Sequence, residues 1–447
     1  MTASIDSSSR SLLAATGQGS SAETEARSLP AWPVLMVLWG YPIWWALGLL
    51  PFAQVIMAIP MLGFLIMRRS ILLAPGILPW LGFVAWMIPS ALMIDEVGRM
   101  MGLGVRFSQF LALAIMMVYI VNARRSLTPR RVLNALTSIW VFVIIGGYLG
   151  MFFPEVRLTM TIGQLLPEAI AANDYVADLV FPPLAEIQTP WGAEEPFLRP
   201  SAPFAYTNGW GAAMAILTPI AVATALGHRT ARSIWFLVIG VVASIPPAIA
   251  TTNRGLFIGL AVAVVYVMLR LLLRGRWLAF LWVTLLGGIA AIVLLLSGFL
   301  DGIIARQETV DTTTGRGDLY TETLERTLLS PVLGYGAPRP SHWSEIFVGT
   351  QGAIWNAMFC FGFVGLALFV FALLSSALRT WDAPNLSTLW LHSSAVVACM
   401  LSTFYGLDRQ LVFVGVAVAL MLREKYAGRS RYWVARPDPF GKITHEE

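Results

Sequence analysis

The sequence predicts an all-α integral membrane protein with about 12 transmembrane helices and two long extracytoplasmic loops. Three observations carry that expectation. Of 447 residues, 57% are hydrophobic and 12% charged, against roughly 25% charged in a soluble domain. Apolar runs recur from Ala31 to Leu422, each close to the roughly 20 residues that a helix needs to cross the hydrocarbon layer. Alternating segments of about 10 residues, the mark of a spanning β-barrel, are missing.

Taken in order, residues 1-30, with "SIDSSSRS" and "TGQGSSAETEARS", are polar and small and read as a disordered cytoplasmic tail. "SLLAATG" is too short for the apolar core of about 7–15 residues that a secretory signal needs. Expected spans follow at 31-50, 51-67, 71-93, 104-122 and 132-153, with Pro51 marking the turn between the first two. A first long loop takes 154-205, and spans at 206-227, 234-250, 255-273 and 277-298 follow it. After a second long loop over 299-350, spans at 351-378, 387-405 and 410-422 complete a transmembrane catalytic domain of 31-423, and 424-447 form a basic cytoplasmic tail. Within the loops, "LLPEAIAANDYVADLV" and "LYTETLERTLLS" space their apolar residues as short surface helices do. In the second of these, Leu319, Tyr320, Leu324 and Leu328 form the apolar side and Glu322, Glu325 and Arg326 the polar side.

Charge gives the orientation. Arginines gather in alternate connections, at Arg68 and Arg69, Arg124 to Arg131, Arg229 and Arg232, Arg270 to Arg276, Arg379, and from Arg423 onward. The positive-inside rule makes those connections, and both ends of the chain, cytoplasmic. The opposite connections carry most of the acids, among them Asp95, Glu96 and Asp408. The net charge of +5 is spread through short loops and is no nucleic-acid signal. Cys360 and Cys399 lie in apolar runs, and neither a metal site nor a cofactor is expected from their spacing.

Three outward arginines point to chemistry. Arg254, in "ATTNRGLFIG", opens the eighth expected span, where a helix start offers unpaired N–H groups and a positive dipole end. Pro246-Pro247 is expected to break or kink the preceding helix, leaving "ATTN" as a connection rich in donors. Arg316, in "TTTGRGDLYTETLERTLLSPVLGYG", lies between Gly315 and Gly317, with Asp318 placed to cap the helix that follows. Arg199, in "LRPSAPFAYTNGWGAAMA", ends the first long loop, and Asn208 opens the sixth span. Each has a plainer reading: lipid snorkelling for Arg254, a surface pair with Asp318 for Arg316, a loop arginine beside a capping asparagine for Arg199. Together they suggest a pocket for a multiply charged anion, of which a lipid-linked diphosphate sits at this depth.

In order and spacing, "LRP" with "TNGWGAAMA", then "TTNRGLFIGLAVA", "TGRGDLYTETLERTLLSPVLGYG" and "GTQGAIWNAMFCFGFVGLALF" resemble the bacterial O-antigen ligase and O-antigen polymerase superfamily over roughly residues 195 to 375. The resemblance implies a GT-C-type glycosyltransferase of the bacterial cytoplasmic membrane, metal-independent, whose donor is a glycan on undecaprenyl diphosphate. The acceptor is then another glycan, a lipid anchor or a protein. By position, Arg199, Arg254 and Arg316 take the diphosphate. Ligases of the family carry a histidine at the start of the late span, ahead of Gly-x-x-Gly; here Gly362-Phe363-Val364-Gly365 fits, but Gln351-Gly352 stands where the histidine is expected. A neutral glutamine cannot take a proton from an attacking hydroxyl, so His342 and Glu345, in "RPSHWSEIF", join Gln351 as catalytic candidates. Asn208, Asn253, Tyr320 and Trp343 are the candidates for glycan contact, the aromatic pair also suiting an interfacial belt. The leading expectation is a polymerase of lipid-linked repeat units; ligase-like transfer and a flippase of lipid-linked glycans are the alternatives.

Overall fold

Proline and glycine cut the first expected span into pieces. Pro42 lacks the N–H that would reach Leu38, so a helix α1 (Trp32–Trp39) stops at Gly40 and α2 (Tyr41–Ala46) begins afresh. A 3-10 turn at Leu50–Phe52 then leads into α3 (Ala53–Ile66). This computed structural model describes residues 28–68, 70–159, 161–167, 174–188, 196–296, 312–343, 346–429 and 432–435. The expected disordered stretch up to residue 27 and most of the basic tail lie outside them.

Further along come β1 (Ser70–Leu72), α4 (Leu78–Ser90), α5 (Val97–Asn122) and α6 (Pro129–Phe152), then α7 (Asp174–Val180), β2 (Ala185–Gln188) and β3 (Phe197–Pro200) in the first long loop. The chain continues through α8 (Thr207–His228), α9 (Ala231–Ala250), α10 (Arg254–Leu273) and α11 (Trp277–Leu296). The second long loop holds α12 (Thr312–Leu329), β4 (Arg339–Pro340) and β5 (Phe347–Val348). The last elements are α13 (Ala353–Arg379), α14 (Leu386–Leu401), α15 (Gln410–Tyr426) and β6 (Trp433–Ala435). Starts are set by local chemistry: Thr128 accepts from Arg131 N ahead of Pro129, Thr230 accepts from Ser233 N, and Asn385 and Thr388 form a reciprocal capping box.

Among the described residues, six helices are long and apolar enough to cross a membrane: α5, α6, α8, α9, α10 and α13. Shorter apolar helices accompany them at Leu50–Ile66, Leu78–Met93, Trp277–Ile289 and Leu386–Leu401. α8 lies at the centre, packed on α6, α10 and α14, because its run of glycine and alanine lets neighbours approach closely. α9 and α11 lie at the rim and expose Trp235, Ile239, Trp282 and Leu286, as a surface facing lipid does.

The expected break at Pro246-Pro247 is not found. α9 runs through both prolines to Ala250, leaving Thr251–Asn253 as the connection. At the rim the missing N–H groups disturb only an outer helix, and Pro247 packs on Gly147 of α6, where an added Cβ would come within 2.6 Å of it.

α13 is broken where hydropathy runs on unchanged. Gly362 has φ 69° and ψ −174°, so the helix divides after Phe361. A loop from the preceding segment fills the break: Tyr335 N donates to Phe359 O at 3.0 Å, Gly336 N to Cys360 O at 2.7 Å, and Phe363 N to Pro331 O at 2.7 Å. Trp86 Nε1 takes Phe361 O at 3.0 Å. A Cβ on Gly362 would lie 2.3 Å from Val332 O, which accounts for glycine there. Irregular backbone inside a bundle persists when protein groups take up its polar atoms, as here.

The two ends of the bundle differ in charge. At one, β1 pairs antiparallel with β6, Arg68 donates to Asn122 O at 2.8 Å, Arg274 to Ala383 O at 2.8 Å, and Lys425 pairs with Asp382 at 2.6 Å. At the other, the starts of α8, α10, α13 and α15 meet, under a cover formed by the two long loops.

Candidate anion-binding site

The meeting point is organised by Tyr405, in the connection between α14 and α15. Its hydroxyl donates to Asn253 Oδ1 at 2.5 Å and accepts from Gly255 N at 3.2 Å; its carbonyl accepts from Ala353 N at 2.9 Å. Asn253, 1% exposed, caps α10 by accepting from Leu256 N at 3.1 Å and donates Nδ2 to Thr207 O at 3.2 Å. Gln410 Nε2 reaches Gly209 O at 2.9 Å. Four helix starts are thus tied side by side, with their positive dipole ends together. The amide of Asn253 passes over Gly211 so closely that a Cβ there would meet Nδ2 at 2.3 Å.

One expectation needs correction at this point. The first N–H groups of α10 are not open to a ligand, because Tyr405 and Asn253 already occupy those of Gly255 and Leu256. What remains for an anion is side-chain chemistry. The guanidinium of Arg254, half-buried at the first position of α10, has no hydrogen bond or ion pair among the described residues. Asn208, the second residue of α8, also keeps an unengaged amide among the described residues and caps nothing, the N-cap position being Tyr206. The carboxylate of Glu186 does the capping instead, accepting from Thr207 N at 2.9 Å.

Arg199 stands apart from the ligand role expected of it. It is 4% exposed on β3, opposite Glu186 on β2, and its Nε donates to Thr251 O at 2.9 Å while Nη1 lies 3.9 Å from Glu186 Oε2. It holds the connection that leads to Arg254. Arg316 does not precede a helix: α12 already begins at Thr312, so Asp318 is no cap, and the side chain of Arg316 lies outside the described residues' atoms. Glycine inside a helix costs about 1 kcal/mol, which docking of α12 on α13 outweighs.

The two sides of α12 match the expectation only in part: Leu319 is buried and Glu325 exposed, as expected, but Glu322 and two of the leucines depart from it. Glu322 is 5% exposed, with Thr323 and Thr327 buried beside it, whereas Leu324 and Leu328 are exposed. Glu322 turns inward because the β4–β5 segment supplies two donors, Ser341 Oγ at 2.5 Å and His342 N at 3.0 Å, and Arg326 Nη1, one turn further along α12, supplies a third at 3.1 Å. Burial alone raises the Glu322 pKa, but these three hydrogen bonds outweigh it and hold the carboxyl below its ordinary value. At the rim of the same cover, Arg99 and then Arg339 hydrogen-bond Asp95 and hold it at about 2.

His342 and Trp343 are therefore fixed by their backbone while their side chains are exposed, Trp343 at 83%. Glu345 lies outside the described residues. Gln351 is partly exposed and donates to Thr350 Oγ1 at 3.3 Å. Tyr320 stacks on Trp355 with centroids 4.2 Å apart, and Trp355 Nε1 donates to Thr403 O at 2.8 Å, which joins α12 to the Tyr405 connection. Sequence reasoning missed Tyr405, Glu186, Trp355 and the burial of Glu322. Only the last two carried a signal, an aromatic and an acid at helix starts or faces.

The chain matches no family model, and no curated protein matches it.

Proposed function

We propose that this protein is a glycosyltransferase that polymerises lipid-linked polysaccharide repeat units at the outer face of a bacterial cytoplasmic membrane. In this reading the shorter helices cross the membrane as well, giving about 12 spans of GT-C type, with the basic end cytoplasmic. The observation that carries it is the guanidinium of Arg254, without a hydrogen-bond or ion-pair partner among the described residues, on a helix start tied in place to the start of α8. A planar fork of this kind suits phosphate oxygens. The motif order that resembles the O-antigen ligase and polymerase superfamily supports the same reading.

In the reaction, an acceptor sugar hydroxyl attacks the anomeric carbon of a glycan on undecaprenyl diphosphate. The bond from that carbon to the phosphate oxygen breaks, its electron pair leaves with the diphosphate, and configuration inverts. Arg254 opposes the charge that builds on the departing oxygen. The attacking hydroxyl gives its proton to a base, for which exposed His342 is the candidate among the described residues named from the sequence; Gln351, being neutral, serves as a hydrogen-bonding group. Trp343 offers a sugar-stacking face, while one face of Tyr320 is taken by Trp355. Arg199 acts by positioning the Thr251–Asn253 connection.

The test uses purified protein in lipid nanodiscs with an undecaprenyl-diphosphate repeat unit, products being resolved by length. A ladder of multiples is expected from the wild type. Arg254→Ala should lower the rate by about 10²–10³. Equal activity of that variant at equal protein level would sink the assignment. Attachment of the input glycan to an added lipid anchor or protein, with no ladder, would favour the ligase alternative.

A further inference from the structure

α12 turns one stripe out of the protein, and the chemistry of that stripe changes along the helix. Asp318, Thr321, Leu324, Glu325, Leu328 and Leu329 are exposed at helical spacing. The stripe opens polar; after Glu325 it is apolar, and it runs on to Val332 just past the helix end. Leu328, Leu329 and Val332 are each more than half exposed. A contiguous apolar row of this kind on a surface marks a partner.

The row continues into a second one. Beyond the break at Gly362, α13 exposes Val364, Ala367, Phe371, Leu374 and Leu378, at alternating intervals of three and four residues, the pattern of a spanning helix with one side in lipid. The end of α12 is joined to the head of that stripe: Phe363 N donates to Pro331 O at 2.7 Å, and Val332 O lies where a Cβ on Gly362 would be.

Helix length sets the depth. About 17 positions separate Gly362 from Arg379 at the basic end of the bundle, which amounts to about 26 Å of helix. A hydrocarbon layer is about 30 Å thick, and any tilt of α13 shortens its reach. Measured from the basic end as one boundary, the turn docked on Gly362 falls just inside the opposite boundary.

We propose that α12 is seated in the bilayer leaflet opposite the basic end. It enters obliquely, with Asp318 and Thr321 in water and Leu328, Leu329 and Val332 among the acyl chains, and Leu324 lies at the crossing. The opposite face of the same helix carries Glu322, which holds Ser341 and the backbone of His342. A helix so seated ties the cover that bears His342 to the bilayer.

The experiment uses the full chain in nanodiscs of phosphatidylethanolamine and phosphatidylglycerol. A nitroxide is attached in turn to Asp318→Cys, Thr321→Cys, Leu324→Cys, Leu328→Cys and Val332→Cys on a Cys399→Ser background, Cys360 being buried. Collisions with oxygen, enriched among acyl chains, and with a nickel chelate, confined to water, then report depth. Labels at the first two positions should meet nickel, and depth should grow along the series to about 5–10 Å below the headgroup boundary at Leu328→Cys. Nickel access at Leu328→Cys equal to that at Thr321→Cys overturns the proposal, since the row then looks into water. So does a label at Leu328→Cys shielded from both reagents, which would mean that a second copy or another protein covers it. Wild-type protein supplies a check free of substitutions: a phospholipid with a diazirine in its acyl chain should crosslink to residues 327–332 on irradiation. Crosslinks to α9 and α11 without any to α12 overturn the seating equally. None of these readouts depends on glycosyl transfer, so the seating and the polymerase reading fail separately.

Discussion

Replacing Gly362 by alanine tests how α13 is built. An alanine at φ 69° costs roughly 1–2 kcal/mol in backbone strain. Its Cβ would also meet Val332 O at 2.3 Å, so the filling loop must withdraw. Withdrawal puts at risk three backbone hydrogen bonds, from Tyr335 N, Gly336 N and Phe363 N, each worth about 0.5–1.5 kcal/mol. The expected loss is therefore about 3–6 kcal/mol, a large share of the roughly 5–15 kcal/mol that holds a typical domain. Thermal unfolding followed by size-exclusion chromatography of detergent-purified protein reads it out, with a marked fall in both Tm and yield expected. Gly102→Ala is the control: α5 has open space around it, and the helix should gain up to about 1 kcal/mol. A wild-type Tm for Gly362→Ala would refute the broken-helix account.

Tyr405→Phe removes the hydroxyl shared by Asn253 and Gly255 N, and should cost about 1–3 kcal/mol; it should also slow transfer by loosening the start of α10, which rate measurements on the purified variant would check. Glu322→Gln should free the segment around His342, at about 1–3 kcal/mol, visible as faster backbone hydrogen exchange over residues 339–343; unchanged exchange would mean that the carboxylate does not hold it. The same contact predicts a pH effect. Because the folded pKa of Glu322 is depressed, its contribution is complete above the unfolded value of about 4.3 and is lost as pH falls through the folded value. Wild-type Tm should decline across that acidic window by more than that of Glu322→Gln.

Helices were readable from sequence where length and hydropathy decide. Asn253, expected as a glycan contact, is instead the buried cap of α10, but Arg254 at that helix start was readable. Tyr405 was not: it meets Asn253 across 152 positions of sequence, and nothing in "TFYGLD" announces that partner. The break at Gly362 was hidden for a related reason, since an apolar run has the same hydropathy whether or not one residue leaves the helical region. Its cause lies in the glycine-rich turn at 333–336, which needs carbonyls to bind. Glu322 looked solvent-facing because an acid on an amphipathic helix usually is; two donors from the β4–β5 connection, Ser341 and His342, with Arg326 of its own helix, reversed it. At Pro246-Pro247, the local rule of helix breaking gave way to tertiary packing on Gly147.

The pairing of β1 with β6 carries a consequence for synthesis. Ser70–Leu72 emerges early, and its partner follows only about 360 residues later. At roughly 5–20 residues per second the ribosome needs about 20–70 s to deliver it. Throughout that interval the early strand presents an unpaired edge at the basic end of a growing bundle, open to any other extended segment. Closure of that end is thus timed by the arrival of Trp433–Ala435, and a ribosome stalled before that segment would leave behind a bundle with its seam unfastened.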